Sequence, residues 1–210
     1  MKAKKNLIVL CAVFAALTSI TNAAFILEES FESPVITPDK QDGFLKSYYS
    51  SNDPGTYFGS WLIVSGSIEV ANDTYSSSTF DAYDGHQRIA LNGDEPGRIG
   101  IELATTVDQE YEVEFYIYKD FDVTVGFAAN SGDNFLASKT SSAGGDSWQK
   151  VTWNFTAQGT STWLFFEGDA NTEATGPSLD MVTVEPVPEP ATVMIFALGG
   201  IGMLSMRRHK

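Results

Sequence analysis

The chain has 210 residues, a length that favours one domain, and its 13 basic residues stand against 27 acidic ones, giving a formal net charge of −14. This balance argues against a nucleic-acid-binding protein, which needs a basic face to displace counterions. Hydrophobic residues reach 43% and aromatic residues 12%, fractions too high for a disordered acidic tail. The one cysteine, Cys11, excludes an intramolecular disulfide.

Residues 1–23 have the three parts of a secretory signal peptide. Lysines at the start precede the apolar run from Leu7 to Leu17, and Ala23 provides the small residue before a cleavage site. Because so short a run spans a bilayer poorly, the sequence predicts that this segment is removed. The alternative is an N-terminal helix that is not cleaved.

The chain ends in a second apolar segment, Ala191 to Met206, followed directly by a basic tip at 207–210. The motif Pro188, Glu189, Pro190 precedes it, and its prolines break a continuing strand or helix. This order of parts resembles the PEP-CTERM sorting signal of Gram-negative bacteria. The resemblance implies a single apolar helix held transiently in the inner membrane and cut near the motif by an exosortase. Exported proteins of that kind commonly accompany exopolysaccharide. The alternative is a plain single-pass anchor.

The predicted folded domain is residues 24–186, between the signal peptide and the sorting segment of 187–210. It keeps seven of the 13 basic residues and 26 of the 27 acidic ones, so its net charge is −19. Such a surface favours solubility and repels anionic polymers unless divalent cations bridge them.

Apolar and polar residues alternate with a period of two along this domain, which predicts strands with one buried face. Gln109–Tyr118 shows the pattern most clearly and Phe121–Phe127 repeats it, with a tight hairpin predicted between them. Eight further windows are predicted strands: Trp61–Val64, Ser67–Val70, Gln87–Leu91, Arg98–Leu103, Phe135–Ser138, Val151–Phe155, Trp163–Phe166 and Leu179–Val184. About ten short strands without helical periodicity indicate an all-β fold, a two-sheet jelly-roll sandwich.

Two further predictions concern aromatic residues. The polar, tyrosine-rich segment from Lys40 to Gly59 is predicted to be a long surface loop, a kind of loop that often has a function. Trp61, Trp153 and Trp163 are assigned to the core.

Several sequence blocks in the domain carry a resemblance to a known family. They are ESFE at 29–32, WLIVSGSIEV at 61–70, DGHQRIALNG at 84–93, PGRI at 96–99 and GPSLDMVTV at 176–184. Their order resembles the choice-of-anchor C family, which is related to DUF642 domains and has a galactose-binding-like jelly roll. Because that family has no firmly assigned activity, the resemblance implies an architecture and a setting rather than a reaction.

The domain offers little catalytic chemistry. Its histidine, His86, stands beside Asp84 in a predicted turn without a nucleophile elbow, so we expect an exposed turn histidine rather than a triad. A zinc enzyme needs several histidine, cysteine or carboxylate ligands, and one histidine without cysteine argues against such a site. A pair of carboxylates at glycosidase spacing would arise by chance among so many acids, which makes a glycoside hydrolase the least favoured hypothesis. No catalytic residue is predicted.

Carbohydrate binding is the function that the residues favour. Sugars stack their C–H faces on aromatic rings, and their hydroxyls need carboxylates and amides. The candidate ligand-binding residues are the tyrosines of the predicted loops: Tyr48, Tyr49, Tyr57, Tyr75 and Tyr83. For each ring, the alternative is that it only covers an end of the sandwich. We therefore expect an exported, noncatalytic protein that binds extracellular polysaccharide, and the alternative is a structural matrix protein without a defined ligand.

A structural calcium ion is predicted at Glu32 and Asp180. Asp180 shares the parity of Val182 and Val184, which predicts a position on the buried face of the last strand, where an uncompensated acid is costly. First and last strands commonly lie side by side in sandwiches. The resemblance to galactose-binding-like domains implies the ligand pair itself, a glutamate after an N-terminal phenylalanine and an aspartate in the last strand. The alternative is that Asp180 only accepts backbone hydrogen bonds.

Overall fold

The computed structural model describes residues 24–37, 45–50, 56–75, 81–118, 121–145, 147–169 and 176–188. The predicted signal peptide lies outside these ranges, as do Glu189, Pro190 and the apolar segment that follows. Within the described ranges, no helix is long and apolar enough to cross a membrane.

The described residues form two antiparallel sheets. In chain order the strands are β1 (Leu27–Glu29), β2 (Leu45–Tyr49), β3 (Tyr57–Phe58), β4 (Trp61–Ser65), β5 (Ser67–Asn72), β6 (Gln87–Ala90), β7 (Arg98–Ala104), β8 (Glu110–Tyr118), β9 (Asp122–Ala128), β10 (Ala137–Ser142), β11 (Gln149–Thr156), β12 (Ser161–Gly168) and β13 (Ser178–Pro186). The seven-stranded sheet has the order β11-β8-β13-β6-β5-β2, with β1 also paired to β13, and the six-stranded sheet has the order β10-β9-β12-β7-β4-β3. The predicted all-β, two-sheet sandwich is confirmed.

One face of each sheet supplies the core. In β8, Val113, Phe115 and Ile117 are fully buried, and the residues between them face outward, as their alternation predicts. The ring of Trp61 is fully buried and lies 5.6 Å from that of Phe31. Its assignment to the core is therefore confirmed.

The first and last strands are neighbours, as expected for a sandwich. β1 pairs antiparallel with β13, and Leu27 lies opposite Val184. The start of the described chain is thereby attached to the middle of the seven-stranded sheet.

The predicted hairpin between β8 and β9 is wrong. β8 pairs with β11 and β13 in one sheet, whereas β9 pairs with β10 and β12 in the other. An alternating strand has the same pattern on either side of a sandwich, so the pattern does not tell whether the next strand stays in the same sheet.

The predicted loop from Lys40 to Gly59 is also wrong in part, because it contains β2 and β3. These two are edge strands with a single partner each, β5 and β4. An edge strand needs less apolar sequence, since one side is open to water, and this explains why the polar segment reads as a loop. The strand predicted at Phe135–Ser138 is observed at Ala137–Ser142, where β10 is also an edge strand with little apolar sequence.

The other two tryptophans assigned to the core, Trp153 and Trp163, differ in where they lie. Trp153 is half-buried and packs against the core, in line with its assignment. Trp163 lies on the outer face of β12, because its neighbours Thr162 and Leu164 are the buried, inward-facing residues. Its assignment to the core is wrong, since an apolar run has no alternation to indicate which residues face inward.

Candidate functional site

The segment 81–87, which leads into β6, is held against the outer face of the seven-stranded sheet by Asp180. The backbone N–H groups of Tyr83 and Asp84 donate to Asp180 Oδ2 at 2.7 and 3.1 Å, and that of Met181 donates to Oδ1 at 2.7 Å. The two donors from segment 81–87 attach it to β13 at a defined position, and the third donor, from β13 itself, fixes the orientation of the carboxylate.

Asp180 is fully buried, but not on the face that its parity predicts. It lies opposite Tyr116, an outward-facing residue of β8, and the register shifts between Asp180 and Thr183. Met181, within this bulge, has a φ of 44°. An extra residue reverses the alternation. Asp180 is therefore buried under segment 81–87 rather than in the core.

Burial controls the charge on this carboxyl. Desolvation raises the pKa of Asp180 to about 7, although the three backbone donors act in the opposite direction. Arg88 of β6 is also buried, and desolvation lowers its pKa while the nearby Asp180 raises it. The Arg88 Nε donates to Ser178 Oγ at 3.3 Å.

Glu32 holds the other end of the same segment. Its Oε1 accepts the backbone N–H groups of His86 and Gln87 at 2.8 and 2.5 Å. Gly85 has a φ of 66°, and a Cβ there would lie 2.4 Å from the Glu32 carboxyl carbon. Only glycine allows this approach of carboxylate and backbone.

The contacts of Glu32 and Asp180 bear on the predicted calcium site. Calcium takes six to eight oxygen ligands. Among the residues that the structure describes, no group of three or more histidine, cysteine, aspartate or glutamate side chains could hold a metal ion. Asp180 does accept backbone hydrogen bonds, which is the alternative role given for it in the sequence analysis. Calcium binding stays a prediction.

Tyr83 of this segment and three rings beside it form a group that we call the first aromatic surface: Tyr83, Tyr116, Tyr118 and Trp148. The rings of Tyr83 and Tyr116 stack with centroids 3.6 Å apart and an interplanar angle of 16°. Trp148 stands edge-on to Tyr83 at 6.1 Å and lies 5.5 Å from Tyr118. Its Nε1 donates to the Asp81 carbonyl at 3.1 Å. The four rings come from three parts of the chain and fix one another.

Charged and polar groups flank these rings. A hydrogen bond with the Tyr83 side chain, followed by partial burial, raises the pKa of Tyr116 to about 12. Lys150 Nζ lies 2.5 Å from Glu114 Oε2. Further along the same sheet, a depression of about 210 Å³ is lined by Phe25, Met181, Thr183 and four glutamates at 28, 112, 114 and 185.

The structure does not bring the predicted tyrosines together. Tyr83 is 43% exposed in the first aromatic surface, whereas Tyr49 is exposed on edge strand β2, where its hydroxyl donates to Asp94. Tyr48 packs edge-on against buried Phe58 and covers the core. Tyr57 is 52% exposed on the other sheet. Tyr75 ends a 3-10 turn, Asp73–Tyr75, and its side chain lies outside the described part.

Sequence reasoning missed the other three rings of this surface. Tyr116 and Tyr118 occupy the outward positions of β8, where the earlier outward residues are glutamates. That break in an otherwise acidic row is the signal that could have found them. Trp148 has no comparable signal, because it lies just before β11 and only the fold brings it to Tyr118.

The predicted turn histidine lies at the surface of the domain. His86 is exposed, with 64% of its side chain accessible, and its Nδ1 lies 2.9 Å from Asp73 Oδ1. This agrees with the exposed turn histidine expected from the sequence.

Family models match both parts of the chain. Residues 27–185 match the family described as "Protein of unknown function (DUF642)". The chain belongs to the DUF642 family. Residues 186–208 match the PEP-CTERM protein-sorting motif, which indicates a protein exported and sorted to the cell surface in Gram-negative bacteria. No curated protein matches the chain.

Several solved structures resemble this DUF642 domain. The CBM22-1 xylan-binding domain of Paenibacillus barcinonensis Xyn10C is 17% identical, with 80% of this chain and 97% of that one covered and a TM-score of 0.43. The CBM6cm-2 module of Cellvibrio mixtus lichenase 5A, in complex with cellotriose, is 10% identical, with 79% and 100% covered and a TM-score of 0.43. The sugars named for these modules are ligands of those proteins.

Proposed function

We propose that this protein is an exported, noncatalytic carbohydrate-binding protein that attaches to extracellular polysaccharide at the cell surface. The observation that carries the proposal is the first aromatic surface, in which rings from three parts of the chain are held in one place on an outer sheet face. A contiguous group of partly exposed aromatic rings is typical of an interaction site, whereas single exposed rings are ordinary.

The surroundings of the rings favour a neutral sugar chain. A sugar ring that stacks on Tyr83 would lie near Glu114 and Lys150, which offer an acceptor and a donor for its hydroxyls. The acids along β8 and the net charge of −14 would repel an anionic polymer. The proposed ligand is therefore a neutral polysaccharide.

The end of the fold leads directly into the sorting segment. Strand β13 ends at Pro186, and the sorting motif begins at the same residue. Val187 is still attached to the domain, because its N–H donates to the Glu110 carbonyl at 2.9 Å and its carbonyl accepts from Gln109 Nε2 at 2.8 Å. We propose that an exosortase cuts close to this end of the sandwich and releases the domain from the inner membrane.

Intact mass spectrometry of protein recovered from outside the cell tests the processing. We expect a chain without residues 1–23 and without the segment after Pro190. Extracellular material that still contains residues 207–210 would contradict sorting by cleavage and favour a plain anchor.

Retention of alanine variants on immobilised polysaccharides tests the carbohydrate proposal. Base stacking on an aromatic ring is worth about 1–3 kcal/mol, and sugar stacking at the lower end of that range corresponds to about fivefold weaker retention for Tyr83→Ala and Trp148→Ala. The melting temperature of Tyr83→Ala should stay close to that of the parent, since the backbone N–H that binds Asp180 remains.

Tyr49→Ala is the matched control. It also removes a half-exposed tyrosine from the seven-stranded sheet, but β2 is four strand positions from β8, about 19 Å away at the usual strand spacing. Its retention should equal that of the parent. Unchanged retention in Tyr83→Ala and Trp148→Ala would reject this site, and a parent that binds no polysaccharide would favour the matrix protein without a ligand. Sugar release in a hydrolysis screen would instead favour the glycoside hydrolase.

A further inference from the structure

The outer face of the six-stranded sheet carries a row of residues that the pairing register places side by side. Tyr57 lies opposite Leu62, Leu62 opposite Gly100, and Gly100 opposite Phe165. On β4, the neighbouring residue Trp61 is the buried one, so this row faces outward. Tyr57 at the sheet edge thus shares a face with Phe165 in the middle of the sheet.

Phe165 has glycine on both neighbouring strands. Its cross-strand partners are Gly100 on β7 and Gly126 on β9. A Cβ at Gly100 would lie 2.5 Å from the Phe165 ring, and a Cβ at Gly126 would lie 2.7 Å from the ring of Phe135. The two glycines therefore let both rings lie directly on the sheet, as glycine in a strand allows a close approach.

Phe135 and Trp163 both contact Phe165, and Tyr57 lies on the same face at the sheet edge. We call these four residues together with Arg98 the second aromatic surface. Trp163 is offset-stacked along the strand with Phe165, at 6.0 Å and 20°, and Phe135 lies 5.9 Å from Phe165. Phe165 is fully covered, whereas Trp163 and Phe135 are partly exposed and Tyr57 is 52% exposed. A buried ring supports the exposed ones.

Arg98 brings hydrogen-bond donors to this surface. Its guanidinium lies 4.1 Å from the Phe165 ring centroid and 4.3 Å from that of Phe135. One Nη donates to the Asp133 carbonyl at 3.1 Å, but the buried Nε has no hydrogen-bond partner among the described residues. Desolvation lowers the pKa of Arg98, while Glu167 raises it. The guanidinium is held in place by two rings, with its Nε buried while the side chain as a whole is partly exposed.

We propose that this face is a second carbohydrate-binding surface, which takes a neutral polysaccharide chain on the side of the sandwich opposite to Tyr83. Because the two surfaces are on the outer faces of opposite sheets, one domain would bridge two polymer chains. The class of ligand, a neutral polysaccharide, rests on the proposed function. The site itself consists of residues that the first aromatic surface does not include.

The charges around the rings decide between occupants. Two glutamates lie on the same outer face. Glu102 on β7 is the cross-strand partner of Trp163, and Glu167 follows Phe165 by two residues on β12. A dimer through this face would bring the acids of two copies into one interface, and an anionic polymer would be repelled by the same acids. The hydroxyls of a neutral sugar can donate to the carboxylates and accept from Arg98.

Aggregation of polysaccharide-coated beads tests bridging, with galactomannan, xyloglucan and mixed-linkage β-glucan as the coatings. The mature protein should aggregate beads of at least one coating. Trp163→Ala and Tyr57→Ala should still bind those beads but aggregate them at least tenfold less, and Trp163→Tyr, which keeps a ring, should retain most of the effect. Tyr57→Ala is included in case the Trp163 variant misfolds, because Tyr57 is exposed at the sheet edge and its removal should leave the fold intact. Val107→Ala, which changes a half-exposed residue away from both surfaces, is the control and should match the parent.

The outcomes separate the two proposals. Aggregation by Trp163→Ala and Tyr57→Ala equal to that of the parent would overturn the second surface, while loss of binding in Tyr83→Ala would leave the proposed function standing. A parent dimer in sedimentation velocity that Trp163→Ala abolishes would also overturn it, because the face would then join two copies of the chain. A parent that binds none of the coatings would overturn both.

Discussion

The two aromatic surfaces occupy opposite sheets and are built by different means. In the first, Tyr83 comes from segment 81–87, which reaches the sheet only because Asp180 and Glu32 bind its backbone. In the second, the rings of Trp163 and Phe165 belong to a central strand, and flanking glycines make room for them. The first surface therefore depends on two carboxylates and the second on strand register, so a change that disturbs one should spare the other.

The largest expected effect is a dependence of stability on pH from Asp180. Its folded-state pKa of about 7 lies above the ordinary 3.8, so its contribution is fully present below about pH 4 and is lost as the pH rises to about 7. The free energy of unfolding should fall by up to about 1.4 kcal/mol per pH unit across that interval. Urea unfolding from pH 4 to pH 8 measures it, and Asp180→Asn, which does not titrate, should lack this slope. Equal slopes in parent and variant would show that Asp180 does not titrate in this range.

A smaller effect is expected from Gly100→Ala, which acts on the other sheet. The new Cβ would lie 2.5 Å from the Phe165 ring, and overpacking of this kind costs about 2 kcal/mol. Gly132→Ala is the matched control, because nothing lies within 4 Å of a Cβ there. We expect the Gly100 variant to lose stability and bead aggregation while retention through Tyr83 persists. A Gly100 variant as stable as the control would mean that Phe165 has room to move.

The smallest effect is expected from Glu32→Ala, which removes the acceptor for two N–H groups of segment 81–87. The cost should be about 1–2 kcal/mol, since the backbone N–H groups of exposed His86 and buried Gln87 both lose their carboxylate acceptor. Hydrogen exchange should accelerate at these two amides, with Glu28→Ala, an exposed acid on β1, as the unchanged control. Unaltered protection at His86 and Gln87 would show that Glu32 does not hold the segment.

The same variant decides the calcium proposal. An ion that binds only the folded state raises the free energy of unfolding by RT ln(1 + [L]/Kd), and the melting temperature rises with it. Calcium binding at Glu32 and Asp180 predicts a higher midpoint with added calcium than with EDTA in the parent, and no difference in Glu32→Ala. The same midpoint in both solutions for the parent would leave backbone capping as the role of the two carboxylates.

Much of the core followed from local pattern. The alternation of Val113, Phe115 and Ile117 with polar residues indicates which face of β8 is buried, because a strand turns successive side chains to opposite sides. The same rule fails for Trp163, which stands in an apolar run, and for Asp180, where a bulge reverses the parity. Apolar content alone therefore overestimates what belongs to the core.

The sequence by itself determined the all-β class, the outward glutamates of β8 and the sorting motif that follows Pro186, since each of these depends on residues close together in the chain. Only the tertiary structure decided that β8 and β9 separate into different sheets and that Tyr83 and Tyr57 lie on opposite faces. The physical reason is that sheet membership and register are set by pairing between distant strands, which a period of two within one strand does not encode.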